Sequence, residues 1–414
     1  MSFIFKVKKI IVNVGFKHLI KTLIKNLYLN VFFKDIIFFN KLVSSQKYSE
    51  AYSYSIREKL LIKHTNSLDI IRKIAISSYF SGKKKEALKI FESRLNSFIG
   101  LTKKQLIQFS KEALPKNITF KSEYEYFAGY SNYGFILHKS EYLNILSKVV
   151  KKKNSSMKNK EIYFYEQIYQ NINFFKEFTP QFISLQHDLK KRFFIINTEQ
   201  IRGVKPDNNN VQSILEINKK IESINYSDSL KILRPVGLDP DKLIARNIHK
   251  KSTHIDIFNQ INNLLNSSKD QKLLNLIDNV KHIVVNSNLY KFINPEIHYA
   301  FCHNDFHKNN IIAEDNNICK VFDWNTYSVA LRGWDMCYYF GNFEFEFDKV
   351  KELYIDKINH CEGENLIIAK IFYTYLQLYI WVLRLRSKPG SDKMDDYFIP
   401  AINYIKNQHY KIKV

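Results

Sequence analysis

Cysteine is scarce. The 414 residues hold four, Cys302, Cys319, Cys337 and Cys361, and no two are spaced as a CxxC pair. That spacing excludes a zinc ribbon or a disulfide framework and fits a reducing cytoplasm. No run of about 18 residues is both apolar and free of charge, as a membrane-spanning helix requires. Acids are also in short supply. Forty Asp and Glu face 63 Lys and Arg, a formal net charge of +23. Such an excess can signal an anionic partner: a nucleotide, a nucleic acid or an acidic membrane face. The lysines are scattered rather than gathered in one arm, however, and the chain is rich in Lys, Asn, Ile, Phe and Tyr throughout. Drift from an AT-rich coding sequence explains the excess better. No nucleic-acid-binding module is recognisable, so no specific nucleic-acid partner is expected.

What is present is the composition of a globular protein, 45% hydrophobic and 25% charged, over a length that suggests two or three domains. Residues 1–40 read as basic amphipathic helix. Ile4, Val7, Ile10, Ile11, Val14, Leu23, Ile24 and Leu27 follow helical spacing, and Lys6, Lys9, Lys17, Lys21 and Lys25 supply the charge. The segment lacks arginine and a small-residue cleavage site, which argues against a transit peptide. It suits packing against the helices that follow, or a peripheral contact with the anionic inner face of a membrane. Residues 45–115 read as helical. Ala75, Tyr79, Gly82, Ala87 and Phe91 resemble the small-and-large pattern of a tetratricopeptide repeat, which a generic helical hairpin also produces. This accessory domain, 1–115, is a candidate protein-partner surface, and Pro115 is a plausible boundary.

The texture then changes. Strands are expected at 118–127, from 134, and at 142–151, around a turn that carries Gly129 and Gly134. A helix follows from about Lys160, then strands at 181–187 and 192–199, and mostly helix from 210 onward. The expected architecture is α+β: an accessory helical domain, a small-sheet lobe over 116–203 and a helical lobe over 204–414.

One segment concentrates the chemistry: His303-Asn304-Asp305-Phe306-His307-Lys308-Asn309-Asn310-Ile311-Ile312, followed by Val321-Phe322-Asp323-Trp324. Apolar pairs flank both polar clusters, which places the polar residues at strand ends around a loop. Phosphoryl transfer from ATP needs a carboxylate at the acceptor hydroxyl, and an amide oxygen and a second carboxylate to hold Mg²⁺ on the phosphates. The spacing H-x-D-x-x-x-x-N with a later Asp is that arrangement.

These residues resemble the protein-kinase-like superfamily, and within it the aminoglycoside phosphotransferase and choline/ethanolamine kinase group. His303-x-Asp305 lacks the arginine of the protein-kinase H-R-D. Asp323-Trp324 stands where protein kinases have D-F-G. Arg332-Gly333-Trp334-Asp335 resembles a downstream segment of choline kinases. No A-P-E segment is present, which speaks against protein substrates. The resemblance spans about 118–400. It implies a bilobal kinase-like fold with ATP and Mg²⁺ between the lobes. Asp305 would be the catalytic base, with His303 supporting its loop. Asn310 and Asp323 would be the metal ligands, and Asp335 a brace beneath.

It also implies a phosphate-binding lysine on the third strand. Lys151 is the choice among Lys148, Lys152 and Lys153, with Glu161, or else Glu166, as its glutamate. Gly129 and Gly134 would cover the phosphates, although the turn departs from G-x-G-x-x-G. Glu199 and Ile201 would stand at the adenine hinge.

The acceptor is left open: choline or ethanolamine, an aminoglycoside, a sugar or a glycan precursor. Trp324, Trp334, Tyr338, Tyr375, Tyr379 and Trp381 could cage a quaternary ammonium, and Glu344 and Glu346 could attract a cation. An aromatic stripe at helical spacing is more often core. Two other readings remain: a metal-dependent hydrolase with His303, Asp305 and His307 as ligands, and a catalytically degenerate kinase-fold scaffold.

Overall fold

The structure, a computed structural model, describes residues 34–64, 67–125, 132–151, 159–188, 193–236, 244, 247–266, 271–315, 317–343, 345–385 and 394–412. Most of the basic segment read over 1–40 lies outside these residues, as do Gly129, Lys152, Lys153 and Glu344. Helices come first, then a five-stranded sheet of order β1-β2-β3-β5-β4, then a largely helical region. The strands are β1 Lys121–Glu125, β2 Asn132–Lys139, β3 Asn144–Lys151, β4 Phe182–Asp188 and β5 Phe193–Glu199. They fall where the β-branched and aromatic runs place them. This is the expected α+β order: an N-terminal helical segment, a central sheet and a helical C-terminal region. Packing groups the chain into two compact units, residues 1–151 with 186–196, and residues 152–185 with 197–414.

In the first unit the helices Leu68–Phe80 and Lys84–Glu92 form a hairpin. Ala75 and Ala87 are fully buried, so small side chains line the places where large ones would hold the helices apart. Gly82, between them, has φ +88° with open space around its missing Cβ. Backbone conformation, not crowding, is what requires glycine there. Helix Lys103–Lys111 starts with a capping box between Thr102 and Gln105. Its Leu106 joins Ala75, Ala87, Phe91, Leu95 and Ile99 in one core with strand residues Tyr124, Tyr133, Ile136, Val149, Phe193 and Ile195. The later helices and the first strands therefore share one hydrophobic core across residue 115, while Phe39, Leu42, Ala51, Leu60, Ile70 and Ile74 belong to a second core among the earlier helices.

Two features of this unit were not legible in the sequence. His138 is buried on β2 and lies 2.7 Å from Ser122 Oγ, 3.0 Å from Ser147 Oγ and 3.3 Å from Ser110 Oγ. It ties β1, β3 and the preceding helix together. Gly134 sits at a register irregularity in β2 with φ +105°, and a Cβ there would collide with the Tyr124 phenol. Its N–H donates to Asn132 Oδ1 at 3.1 Å. The strand and the tyrosine account for this glycine, and its N–H is not offered to a phosphate as expected.

In the second unit, helix Lys160–Tyr163 runs through a π-helical turn, Phe164–Ile168, into Tyr169–Asn171. Two short antiparallel pairs follow: β6 Tyr299–Cys302 with β9 Ser328–Leu331, and β7 Ile311–Ala313 with β8 Cys319–Val321. Contrary to the sequence expectation, one helix among the described residues, Gly363–Leu385, is long and apolar enough to cross a membrane despite Glu364 and Lys370, but 78% of its apolar window is buried inside the protein. A helix that is apolar on every side is a core helix when other helices surround it.

Four histidines are held neutral by their surroundings. Desolvation lowers the pKa of His138, His254, His303 and His360 to about 4. In an unfolded chain each would titrate near 6.5. Between those values the unfolded state binds more protons, so stability falls as pH falls through the window from about 6.5 to 4. The urea midpoint is expected to drop clearly from pH 7 to pH 4.5. An unchanged midpoint would mean these rings are not held neutral.

Candidate active site

The site begins where β6 ends. His303 is wholly buried. It accepts the Asp305 N–H at Nδ1, 3.3 Å, and lies 3.1 Å from the Phe322 carbonyl at Nε2. That pairing assigns the ring proton to Nε2. Trp324 packs edge-on against the imidazole and stacks on Phe164 at 4.3 Å. His303 therefore shapes the loop and does not face a ligand. Both of its nitrogens are engaged with backbone, which removes it from the metal set that a hydrolase would require.

Asn304 takes up a left-handed conformation, φ +64°. Its side-chain amide donates to Ser328 Oγ at 2.6 Å. The two amides that turn this corner, His303 N–H and Asn304 N–H, donate to opposite oxygens of Asp335 at 2.7 and 2.8 Å. Asp335 is fully buried at the start of helix Trp334–Phe343. Burial raises its pKa to about 7, against the pull of those two N–H donors. The preceding residues fix its aim. Arg332 donates to the carbonyls of Ile297 and Glu222. Gly333, with φ +85°, donates its N–H to Glu222 Oε1 at 2.6 Å. A Cβ on Gly333 would strike Tyr373 and Tyr354.

Asp305 emerges from this corner with 36% of its side chain exposed, enough to be reached. Asn310 Nδ2 donates to its Oδ2 at 3.0 Å and to its carbonyl at 2.9 Å. His307 Nδ1 accepts the Asn309 N–H at 3.2 Å, so the neutral ring carries its proton on Nε2, which lies 3.2 Å from Asp305 Oδ1. Burial alone would raise the Asp305 pKa. His307, His303 and Asn310 together hold it below the usual carboxylate value.

His307 thus fixes the rotamer of Asp305, a role the sequence reading missed. His307→Ala is expected to lower kcat about tenfold with KM for ATP unchanged, and His307→Gln to restore part of the loss. Equal effects of Ala and Gln would argue that the contact does not matter.

The β7–β8 hairpin brings in the remaining residues. Ile311 pairs with Val321, and Phe322 N–H donates to the Asn310 carbonyl at 3.1 Å. Asn310 and Asp323 therefore stand at the same end of one hairpin. The amide nitrogen of Asn310 is committed to Asp305, so the oxygen is the atom of that side chain suited to a cation. Asp323 adopts φ +64° and accepts Asn325 Nδ2 at 2.7 Å. One amide oxygen and one carboxylate, both hard donors, fit Mg²⁺ held partly by substrate phosphates. Among the described residues no three His, Cys, Asp or Glu side chains gather as an all-protein metal cage.

Glu161 is buried on its helix beyond the Asn159 cap, whereas Glu166 is exposed. The buried Tyr165 phenol lies close enough to both Glu161 and Asp323 that each raises its pKa, after the larger effect of burial. Lys151 ends β3, and Glu199 ends β5, its N–H bonded to the Gln181 carbonyl. Beyond Ile201 the chain pairs with the hairpin: Val204 and Ala313 exchange both backbone hydrogen bonds, at 2.8 and 2.9 Å. A Cβ on Gly203 would collide with the Ala313 carbonyl oxygen.

The aromatics expected to cage a cation are mostly core. Trp324 is 0% exposed, Trp334 3%, Tyr375 and Tyr379 1% each and Trp381 5%. Tyr375 packs on Phe258 and His254, and Tyr379 donates to Gln260. Their ring faces meet other side chains, so they offer no cage to a quaternary ammonium.

The chain matches no family model and no curated protein sequence. Among solved structures it is similar to a spectinomycin phosphotransferase in complex with ADP and spectinomycin, at 15% identity over 73% of this chain and 93% of that one, TM-score 0.43. It is similar also to a choline kinase from Streptococcus pneumoniae, at 14% identity over 74% of this chain and 100% of that one, TM-score 0.37. A third is a microcompartment-associated aminopropanol kinase, at 11% identity, 73% and 95% coverage and TM-score 0.38.

Proposed function

We propose that this chain is a phosphotransferase that moves the γ-phosphoryl group of Mg-ATP to a hydroxyl of a small molecule or glycan precursor. The observation that carries the reading is the double clamp of Asp335 on the His303 and Asn304 amides. It fixes the corner from which Asp305 projects, beside the hairpin end that bears Asn310 and Asp323.

Asp305 accepts the proton of the acceptor hydroxyl as that oxygen forms its bond to the γ-phosphorus and the bond to the ADP oxygen breaks. His307 and Asn310 hold the carboxylate in place for that transfer. Asn310 and Asp323 would hold Mg²⁺, which when bound neutralises phosphate charge. Lys151 is assigned to the nucleotide phosphates, and Glu199 and Ile201 to the adenine edge through backbone atoms. Positioning and charge neutralisation supply most of the rate in such a reaction.

The test is ADP release from Mg-ATP by the purified chain across a panel of hydroxyl acceptors, alongside direct nucleotide titration. Acceptor-dependent release that needs Asp305 supports the reading. Failure to bind Mg-ATP would sink it, and binding without turnover on any acceptor would favour a scaffold.

A further inference from the structure

A pocket of about 660 Å³ opens beside the catalytic loop, lined by Lys205, Pro206, Asp207, Asn208, Asn209 and Lys308. That volume is in the range of small-ligand sites. Its two walls are both tied to the site. Lys308 lies on the loop itself, three residues after Asp305. The Lys205 wall is fastened to the same hairpin that carries Asn310 and Asp323, through the Val204–Ala313 pairing and an Asn210–Asn317 side-chain bond at 3.3 Å. Lys205 Nζ reaches across to Asn309 Oδ1 at 2.6 Å.

Two lysines and one acid line this pocket. Lys205 is exposed, and the partner it has is a neutral amide. The one acid, Asp207, turns back on its own loop. Its carboxylate accepts the Asn209 N–H at 2.8 Å and Asn209 Nδ2 at 3.4 Å, capping the turn at Asn208–Asn210. Asn208 and Asn209 add amide groups suited to hydroxyls. The aromatics that a quaternary ammonium would need are buried in the core.

We infer that this pocket seats the acceptor and selects one that carries an oxyanion, a phosphate ester or a carboxylate, beside the hydroxyl to be phosphorylated. The inference rests on the phosphotransferase reading and names its substrate class. Lysines among the lining residues, Lys205 above all, would give an oxyanion charge-assisted hydrogen bonds and disfavour a polycation.

The full-length protein would be titrated calorimetrically with glycerol 3-phosphate and with glucuronate, against glycerol and choline. Each titration is run with and without a saturating, non-hydrolysable Mg-ATP analogue. One or both oxyanions should bind saturably with the nucleotide site filled, and which one binds separates phosphate from carboxylate. Lys205→Glu and Lys308→Glu should each weaken binding about tenfold or more, with unchanged circular dichroism, while Lys205→Arg retains it. Absence of saturable oxyanion binding, equal binding in the Glu variants, or binding lost when nucleotide is present would overturn the inference. Turnover separates the two readings. Acceptor-dependent ADP release from only neutral or cationic compounds overturns the pocket and leaves the phosphotransferase. Oxyanion binding without ADP release from any acceptor does the reverse.

Discussion

Replacing Asp305 by Asn should cut turnover by about 10²- to 10⁴-fold while nucleotide affinity stays within a factor of about two, because on the proposed reading it removes the general base and leaves the metal ligands in place. The substitution is close to isosteric. An amide oxygen can still accept from His307 Nε2, but the amide NH₂ would face the Asn310 NH₂, so one of the present pairings is lost. Asp305 is partly exposed, so the cost in stability should stay below about 1 kcal/mol. Single-turnover kinetics with saturating Mg-ATP and acceptor read the chemical step directly. A rate within threefold of the parent would remove Asp305 from the role of base, whatever the protein binds.

Asp335→Ala should act on folding as well as on rate. It strips the acceptors from two backbone donors, the buried His303 N–H and the part-buried Asn304 N–H. Each orphaned group costs about 1–3 kcal/mol, so the loss should be several kcal/mol, enough to lower the yield of folded protein. Asp335→Asn keeps one carbonyl oxygen but points an NH₂ at a donor, and should fall between. The titration of this group runs opposite to that of the buried histidines. Its folded pKa, about 7, lies above the ordinary carboxylate value. The folded state therefore binds more protons between about pH 4 and 7, and the contribution of this group falls as pH rises through that window. Asp335→Asn should flatten that part of the stability profile. A urea midpoint unaltered in Asp335→Ala would show that the loop does not depend on the clamp.

Much of this site was legible because its chemistry is local in sequence. Asp305 and Asn310 share one loop, and Asp323 lies two residues past the return strand of one hairpin, so spacing carries the geometry. The strands of the sheet were legible for the same reason: runs of β-branched and aromatic residues need only their neighbours. What was missed depends on distant partners. Gly134 reads as a phosphate turn until Tyr124 is seen to occupy the space of its side chain. Trp324 and Tyr379 could read as cage from the sequence, although a stripe at helical spacing favours core, and burial decides for core. The tautomer of His307 follows from the Asn309 amide, and the Lys205 wall from pairing with Ala313, neither of which has a local pattern. His138 needed serines from two other strands and a helix to be recognised as a buried polar hub.

The core shared by helices 68–111 and the first strands bears on how such a chain can be inherited. A segment that moves between proteins by recombination must carry a complete interior with it. Here Phe91, Leu95 and Leu106 close over Tyr124, Ile136 and Val149. A crossover at 115 would therefore leave two halves, each with an uncovered oily face. The packing unit these residues belong to is not contiguous either, since residues 186–196 join those up to 151. The N-terminal helices are thus bound to descend with the sheet they cover.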